Sequence, residues 1–172
     1  MTAIDQAVSF LRSTLTDPGK GLPEEVFLLI SELIPMVNVD LLIKDTRGRT
    51  LLTWRDDPYY EPGWHVPGGI VRFKEKLEER VRAVARNELG ATVACDRSPA
   101  VINEVIRPRT RTRAHFISLL YRCTLTSPLD EKLRHVSGRP KRDQWKWHAR
   151  CPQNIISVQE MYRHLIDEPV KP

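Results

Sequence analysis

Apolar residues recur at helical spacing near the start of the chain, at Ala3, Ala7, Phe10, Leu11 and Leu15, before Asp17-Pro18-Gly19-Lys20-Gly21 breaks the pattern. The spacing predicts a helix over residues 3–14. A second helix is expected from Pro23 to Leu33, with proline at its first position and Glu24 and Glu25 in a first turn that favours negative charge. The period then changes. Val37 to Ile43 and Thr50 to Trp54 are β-rich runs, and the Arg47-Gly48 turn between them predicts a hairpin. A polar loop leads into His65-Val66-Pro67-Gly68-Gly69, whose glycine pair predicts a turn where backbone comes close to a ligand. Leu77 to Leu89 returns to helical character and Gly90 is placed to end it. Val101 to Ile106, His115 to Leu125 and Trp145-Lys146-Trp147 predict strands, and Ser157 to Ile166 a final helix. Strands on both sides of a central helix imply an α+β layered sandwich.

Composition narrows the class. A chain of 172 residues with 41% hydrophobic and 28% charged residues suits one soluble domain. No apolar run approaches the roughly 20 residues of a membrane span, so no membrane partner is expected. Met1 to Gln6 lacks a basic stretch followed by an apolar block, which makes a secretory leader unexpected and the cytoplasm the expected compartment. Cys95, Cys123 and Cys151 are too few and too far apart for a disulfide framework or a zinc site, and are expected to be reduced packing residues. The net charge of +5 is concentrated between Arg107 and Arg150, where twelve Lys or Arg face only Asp130, Glu131 and Asp143. Such a face attracts anions. Few aromatics are interleaved with the arginines, so a phosphate-binding rim is favoured over a nucleic-acid platform.

Glu75, Glu79 and Glu88 after the glycine pair have helical spacing that can bring carboxylates towards a divalent metal. Gly69, Glu75, Ala85, Glu88, Gly90 and Ala91 also fall on the frame of the Nudix box, and the segment resembles that family. The middle departs from it: Ala83 stands for the family arginine, and Val84 and Asn87 for two glutamates. The GDP-mannose mannosyl hydrolases lack glutamates at the same two positions, and the chain resembles them most.

The resemblance implies a Nudix-type α/β/α sandwich with a mixed central sheet over residues 22–172, preceded by an N-terminal helical extension over 1–21. It implies Mg²⁺, or Mn²⁺, held by the Gly68 carbonyl and Glu88, with a third ligand from a late loop. It also puts Arg55 on a diphosphate and Asp40 beside a sugar, and it implies a homodimer. A guanidinium binds phosphate bidentately, whereas a solvated surface role for Arg55 is about equally expected. The late loop departs again, with Lys141 and Arg142 where ligand and base are expected. Gln144 is then the candidate third ligand and His135 the candidate base. For His115 a substrate contact and a structural role are equally open. His65, before the glycine pair, is expected to pack, and His148 and His164 to lie at the surface or in packing. The implied reaction is hydrolysis of a nucleoside diphosphate sugar such as GDP-mannose to sugar and nucleoside diphosphate. The alternatives are pyrophosphohydrolysis at phosphorus and an inactive nucleotide-binding module.

Overall fold

The structure, a computed structural model, describes residues 2–169; Met1 and residues 170–172, at the ends of the expected extension and domain, lie outside it. Helix α1 (Ala3–Thr14) opens with a capping box in which the Thr2 hydroxyl accepts from the Asp5 N–H while the Asp5 carboxylate accepts from the Thr2 N–H. None of its residues is buried. A short 3-10 helix over Pro18–Lys20 leads to α2 (Glu24–Leu33), where Pro23 stands just outside the first turn rather than in it.

The strands are β1 (Met36–Ile43), β2 (Thr50–Arg55), β3 (Gly63–His65), β4 (Gly68–Ile70), β5 (Val93–Cys95), β6 (Val101–Ile106), β7 (His115–Leu125) and β8 (Trp145–His148). Helix α3 (Leu77–Leu89) lies between β4 and β5 and ends at Gly90, whose φ of 60° closes it in the left-handed conformation. One sheet runs β4-β1-β7-β5, with β6 also on β7; β1 and β7 are parallel and the other pairs antiparallel. The other is an antiparallel β3-β2-β8 sheet. This is the expected α+β class with a mixed sheet.

The expected hairpin does not form beyond its turn. Asp45 accepts N–H bonds from Arg47 and Arg49 and a bridge links Lys44 to Thr50, after which β1 and β2 enter different sheets. Burial on both faces is the reason. Val39, Leu41, Ile43 and Leu51 pack with Val81, Val84, Ala85 and Leu89 of α3. Leu42, Leu52 and Trp54 pack instead with Trp64, Ile155, Tyr162 and Ile166. A hairpin laid flat on one core could not bury both sets. The final segment is also split, into a 3-10 stretch over Ser157–Tyr162 and α4 (Arg163–Asp167).

Gly68 and Gly69 were expected to turn the chain, yet they form β4, with Gly68 opposite Asp40 and Gly69 opposite Val39. Their glycine character serves close approach. A Cβ on Gly68 would overlap Asp40 Oδ1 and lie 3.0 Å from the Val39 carbonyl oxygen, and one on Gly69 would lie 2.9 Å from Val84 Cγ2. We expect Gly68→Ala to destabilise the fold by about 1–3 kcal/mol, the usual range for forced overpacking. Urea unfolding checks this, and a midpoint equal to the parent's would show that Asp40 moves aside freely.

Candidate active site

The register of β4 on β1 directs one backbone unit away from the sheet. Leu41 donates to the Pro67 carbonyl and Val71 to the Val37 carbonyl, so Gly68 and Asp40, the next pair along from Leu41 and Pro67, form a non-hydrogen-bonded pair. The Gly68 N–H is therefore free to reach α3, where it donates to Glu88 Oε1 at 3.2 Å. The Thr53 hydroxyl of β2 donates to Glu88 Oε2 at 3.0 Å. Burial pushes the Glu88 carboxyl up to about 7, partly offset by these two bonds and by the Arg55 charge. Thr53 also lies 3.1 Å from Nε2 of buried His65, whose Nδ1 is 2.8 Å from the Val66 carbonyl. Burial holds His65 down near 4, so it is neutral and packed, as expected.

Asp40 is 4% exposed on β1 and accepts a 2.7 Å hydrogen bond from Tyr162. Burial raises its pKa to about 6, opposed by hydrogen bonding with Tyr162, Ser118 and Asn38 and by the Arg55 charge. Tyr162 is pushed well above its ordinary value by the same burial. Arg55, at the end of β2, pairs with Asp57 and stacks 4.4 Å from the Tyr60 ring centre.

A cleft of about 680 Å³ joins these residues, lined by Asp40, Gly68, Gly69, Arg55 and Tyr60 among others, with Arg72, Arg80, Arg113 and Arg142 along its walls. Asp40 is its one lining carboxylate among the described residues. Pro18, Gly21 and Leu22 also line it, so the segment after α1 shapes the site.

Asp40, Arg55, Gly68 and Glu88 are thus brought together. The other candidates are not. His135 is buried against Trp64, on the face of β3 opposite His65, with ring centres 5.8 Å apart, and it does not line the cleft. Gln144 uses its Oε1 to accept from the Lys141 N–H, so its loop already occupies the oxygen expected on a metal. His115 pairs at 3.0 Å with Glu104 across β6 and β7, outside the cleft. Glu75 precedes α3 and bonds Arg80, while Glu79 caps the Lys76 N–H, so neither joins Glu88. Sequence reasoning missed Arg80, Arg113, Tyr60 and Tyr162. Only Arg113 carried a signal, its place in an arginine-rich loop.

No protein-family model matches the chain. Its backbone superposes on a MutT Nudix hydrolase from Burkholderia pseudomallei over 80% of this chain and 99% of that one, at 22% identity and a TM-score of 0.57. It has the Nudix hydrolase fold. A MutT protein from Methanosarcina mazei Go1 superposes over 77% of this chain and 94% of that one, at 19% identity and a TM-score of 0.55. A UDP-X diphosphatase covers 95% of this chain and 75% of its own, at 14% identity and a TM-score of 0.56. Among curated proteins, the low-salt glycan biosynthesis protein Agl8 of Haloferax volcanii is 33% identical over 85 residues, 49% of this chain. The match spans 54% of that relative, about half its length.

Within the Nudix frame the altered positions have structural explanations. Val84 is buried under Gly69 and Asn87 is exposed, leaving Glu88 as the box carboxylate that faces β4. Arg80, one turn before Ala83, makes the 2.8 Å ion pair with Glu75. Divalent metals are general cofactors of Nudix hydrolases, and the donors here are hard oxygens: one carboxylate and the Gly68 carbonyl, which the register turns away from β1. Among the described residues no three His, Cys, Asp or Glu converge on a metal position. That set fits an ion that keeps several waters and substrate phosphates, as Mg²⁺ does, and not a closed protein cage. A buried carboxylate lifted towards neutrality also gains from a cationic neighbour.

Proposed function

We propose that the chain is a Mg²⁺-dependent hydrolase of a nucleoside diphosphate sugar, GDP-mannose-like, releasing sugar and nucleoside diphosphate. The observation that carries this reading is Asp40. It is a buried carboxylate in the cleft, apart from Glu88 in sequence and hydrogen-bonded to Tyr162, with its pKa near 6. A carboxylate so placed accepts sugar hydroxyls and supports positive charge on an anomeric carbon. Glu88 and the Gly68 carbonyl would hold the metal, which supplies Lewis-acid neutralisation of the departing diphosphate. Arg55 binds the same diphosphate, and its contact with Asp57 and Tyr60 fixes the guanidinium in place.

The site residues and the division at residue 21 are part of this proposal. So is a homodimer, for which exposed Ile4, Val8 and Phe10 of α1 offer an apolar surface. A cytoplasmic setting is supported by the free thiols of Cys95, Cys123 and Cys151, each pushed above its ordinary pKa by burial. No described helix is long and apolar enough to cross a membrane.

A second reading is attack at phosphorus, which the likeness to a UDP-X diphosphatase over nearly the whole chain favours. Incubation with Mg²⁺ and a panel of nucleotide sugars separates the two by product. Free sugar with nucleoside diphosphate is expected; sugar phosphate with nucleoside monophosphate would replace the first reading by the second.

A further inference from the structure

Most guanidiniums lining the cleft are already matched. Arg55 pairs with Asp57, Arg80 with Glu75, and Arg142 approaches Asp143 at 3.8 Å. Arg72 and Arg113 form no ion pair with a carboxylate among the described residues, and Arg113 acts on Asp57 only through its charge. Rings hold it instead, with its guanidinium carbon 4.8 Å from the Tyr59 centroid, 5.4 Å from Phe27 and 5.7 Å from Tyr60. Its Nε is buried without a hydrogen-bond partner. Its backbone is left-handed at φ 50°, an unfavourable conformation for a side-chain-bearing residue, pinned by donation of its N–H to buried Ser31 Oγ. Strain of this kind persists where the surroundings over-determine a residue, and it gathers at ligand clamps.

Arg111 of the same loop pairs with Glu32 at the surface and Arg109 is exposed, so Arg113 is the arginine this loop sends into the cleft. The Tyr60 ring is shared by three guanidiniums, its centre 4.4 Å from that of Arg55, 4.5 Å from that of Arg107 and 5.7 Å from that of Arg113. A half-buried guanidinium whose Nε has no hydrogen-bond partner is completed by an acceptor with two coplanar oxygens.

We propose that Arg113 selects the substrate by binding an anionic substituent outside the diphosphate, a carboxylate or a phosphate ester. The inference rests on the cleft being a site for nucleoside diphosphate compounds. It makes Arg113 a determinant of which such compound is accepted.

Calorimetric titration in Mg²⁺ with two matched pairs tests it. UDP-glucuronate against UDP-glucose probes the carboxylate, and ADP-ribose 2′-phosphate against ADP-ribose probes the phosphate. In at least one pair the anionic member is expected to bind about tenfold tighter or more, and Arg113→Gln to bring that ratio close to one. Circular dichroism verifies the variant's fold; if it unfolds, Arg113→Lys applies the same ratio test, because an ammonium lacks the bidentate fork. Equal binding within both pairs, a preference that survives substitution, or no binding of any of the four by the folded protein overturns the proposal. Turnover is not the readout. Selective binding without hydrolysis leaves the role of Arg113 standing and removes the hydrolase reading.

Discussion

Glu88→Gln is expected to lower metal-dependent turnover about a thousandfold while making the protein more stable at pH 8. The rate effect follows from losing the one box carboxylate that can hold the ion: a metal supplies several kcal/mol of transition-state charge stabilisation, and each ~1.4 kcal/mol is tenfold in rate. The stability effect follows from the sign of the pKa shift. Burial raises Glu88 in the folded state from 4.5 to about 7, so the native protein binds the proton more tightly than the unfolded chain does. Stability contributed by this group is therefore present below pH 4.5 and is lost as pH rises towards 7. Glutamine carries no charge to bury and can still match both neighbours, its carbonyl accepting from the Gly68 N–H and its amide N–H donating to the Thr53 hydroxyl. The gain in metal-free buffer at pH 8 is on the order of 3 kcal/mol and should vanish near pH 4. Thermal melts at the two pH values, beside rates in Mg²⁺, read both effects. A variant that melts lower at pH 8 than the parent would show that Glu88 is structural.

Arg55→Ala is expected to lower kcat/KM by about a hundredfold to a thousandfold, with little recovery in Arg55→Lys. A preorganised donor aimed at developing charge is worth about that much, and lysine cannot reproduce a bidentate fork stacked on a ring. The Arg55 charge also lowers the pKa of both Asp40 and Glu88. Without it, both carboxyls rise, and the acid limb of the pH–rate profile should move to higher pH in Arg55→Ala but not in Arg55→Lys, which keeps the charge. The substitution also leaves Asp57 without its partner, so the melting temperature belongs in the same experiment. A fall in rate with no movement of the acid limb would place Arg55 in substrate binding alone.

Much of this was legible in the sequence because local signals agreed with tertiary demand. Leu77 to Leu89 has an apolar side that packs on β1, charge elsewhere and a left-handed glycine at its end, and its limits were read correctly. Val101 to Ile106 and His115 to Leu125 alternate and pair along one another, so their period survived folding. The turn between β1 and β2 was legible but their separation was not, since strands buried on both faces carry no mark of which sheet each joins. Gly68 and Gly69 illustrate a similar limit: sequence shows that a side chain is excluded, and only the register shows that Asp40 and Val84 exclude it.

The site divided along the same line. Asp40, Arg55, Gly68 and Glu88 sit on regular elements, where spacing determines direction; Asp40, Arg55 and Gly68 line the cleft, and Glu88 joins them by accepting from the Gly68 N–H. His135 and Gln144 sit in loops, where direction is set by hydrogen bonds that spacing does not encode. The His135 N–H donates to the Trp145 carbonyl, which helps turn that segment against Trp64, and the Lys141–Gln144 turn occupies the glutamine oxygen. Tyr162 was hidden for another reason: its partner Asp40 is 122 residues away.

The central claim is that water attacks carbon and not phosphorus. Hydrolysis of GDP-mannose in ¹⁸O-labelled water with Mg²⁺, followed by mass spectrometry of both products, reads the bond that forms. The label is expected in the released sugar; label in a phosphate product, or no turnover by the folded protein, would contradict it.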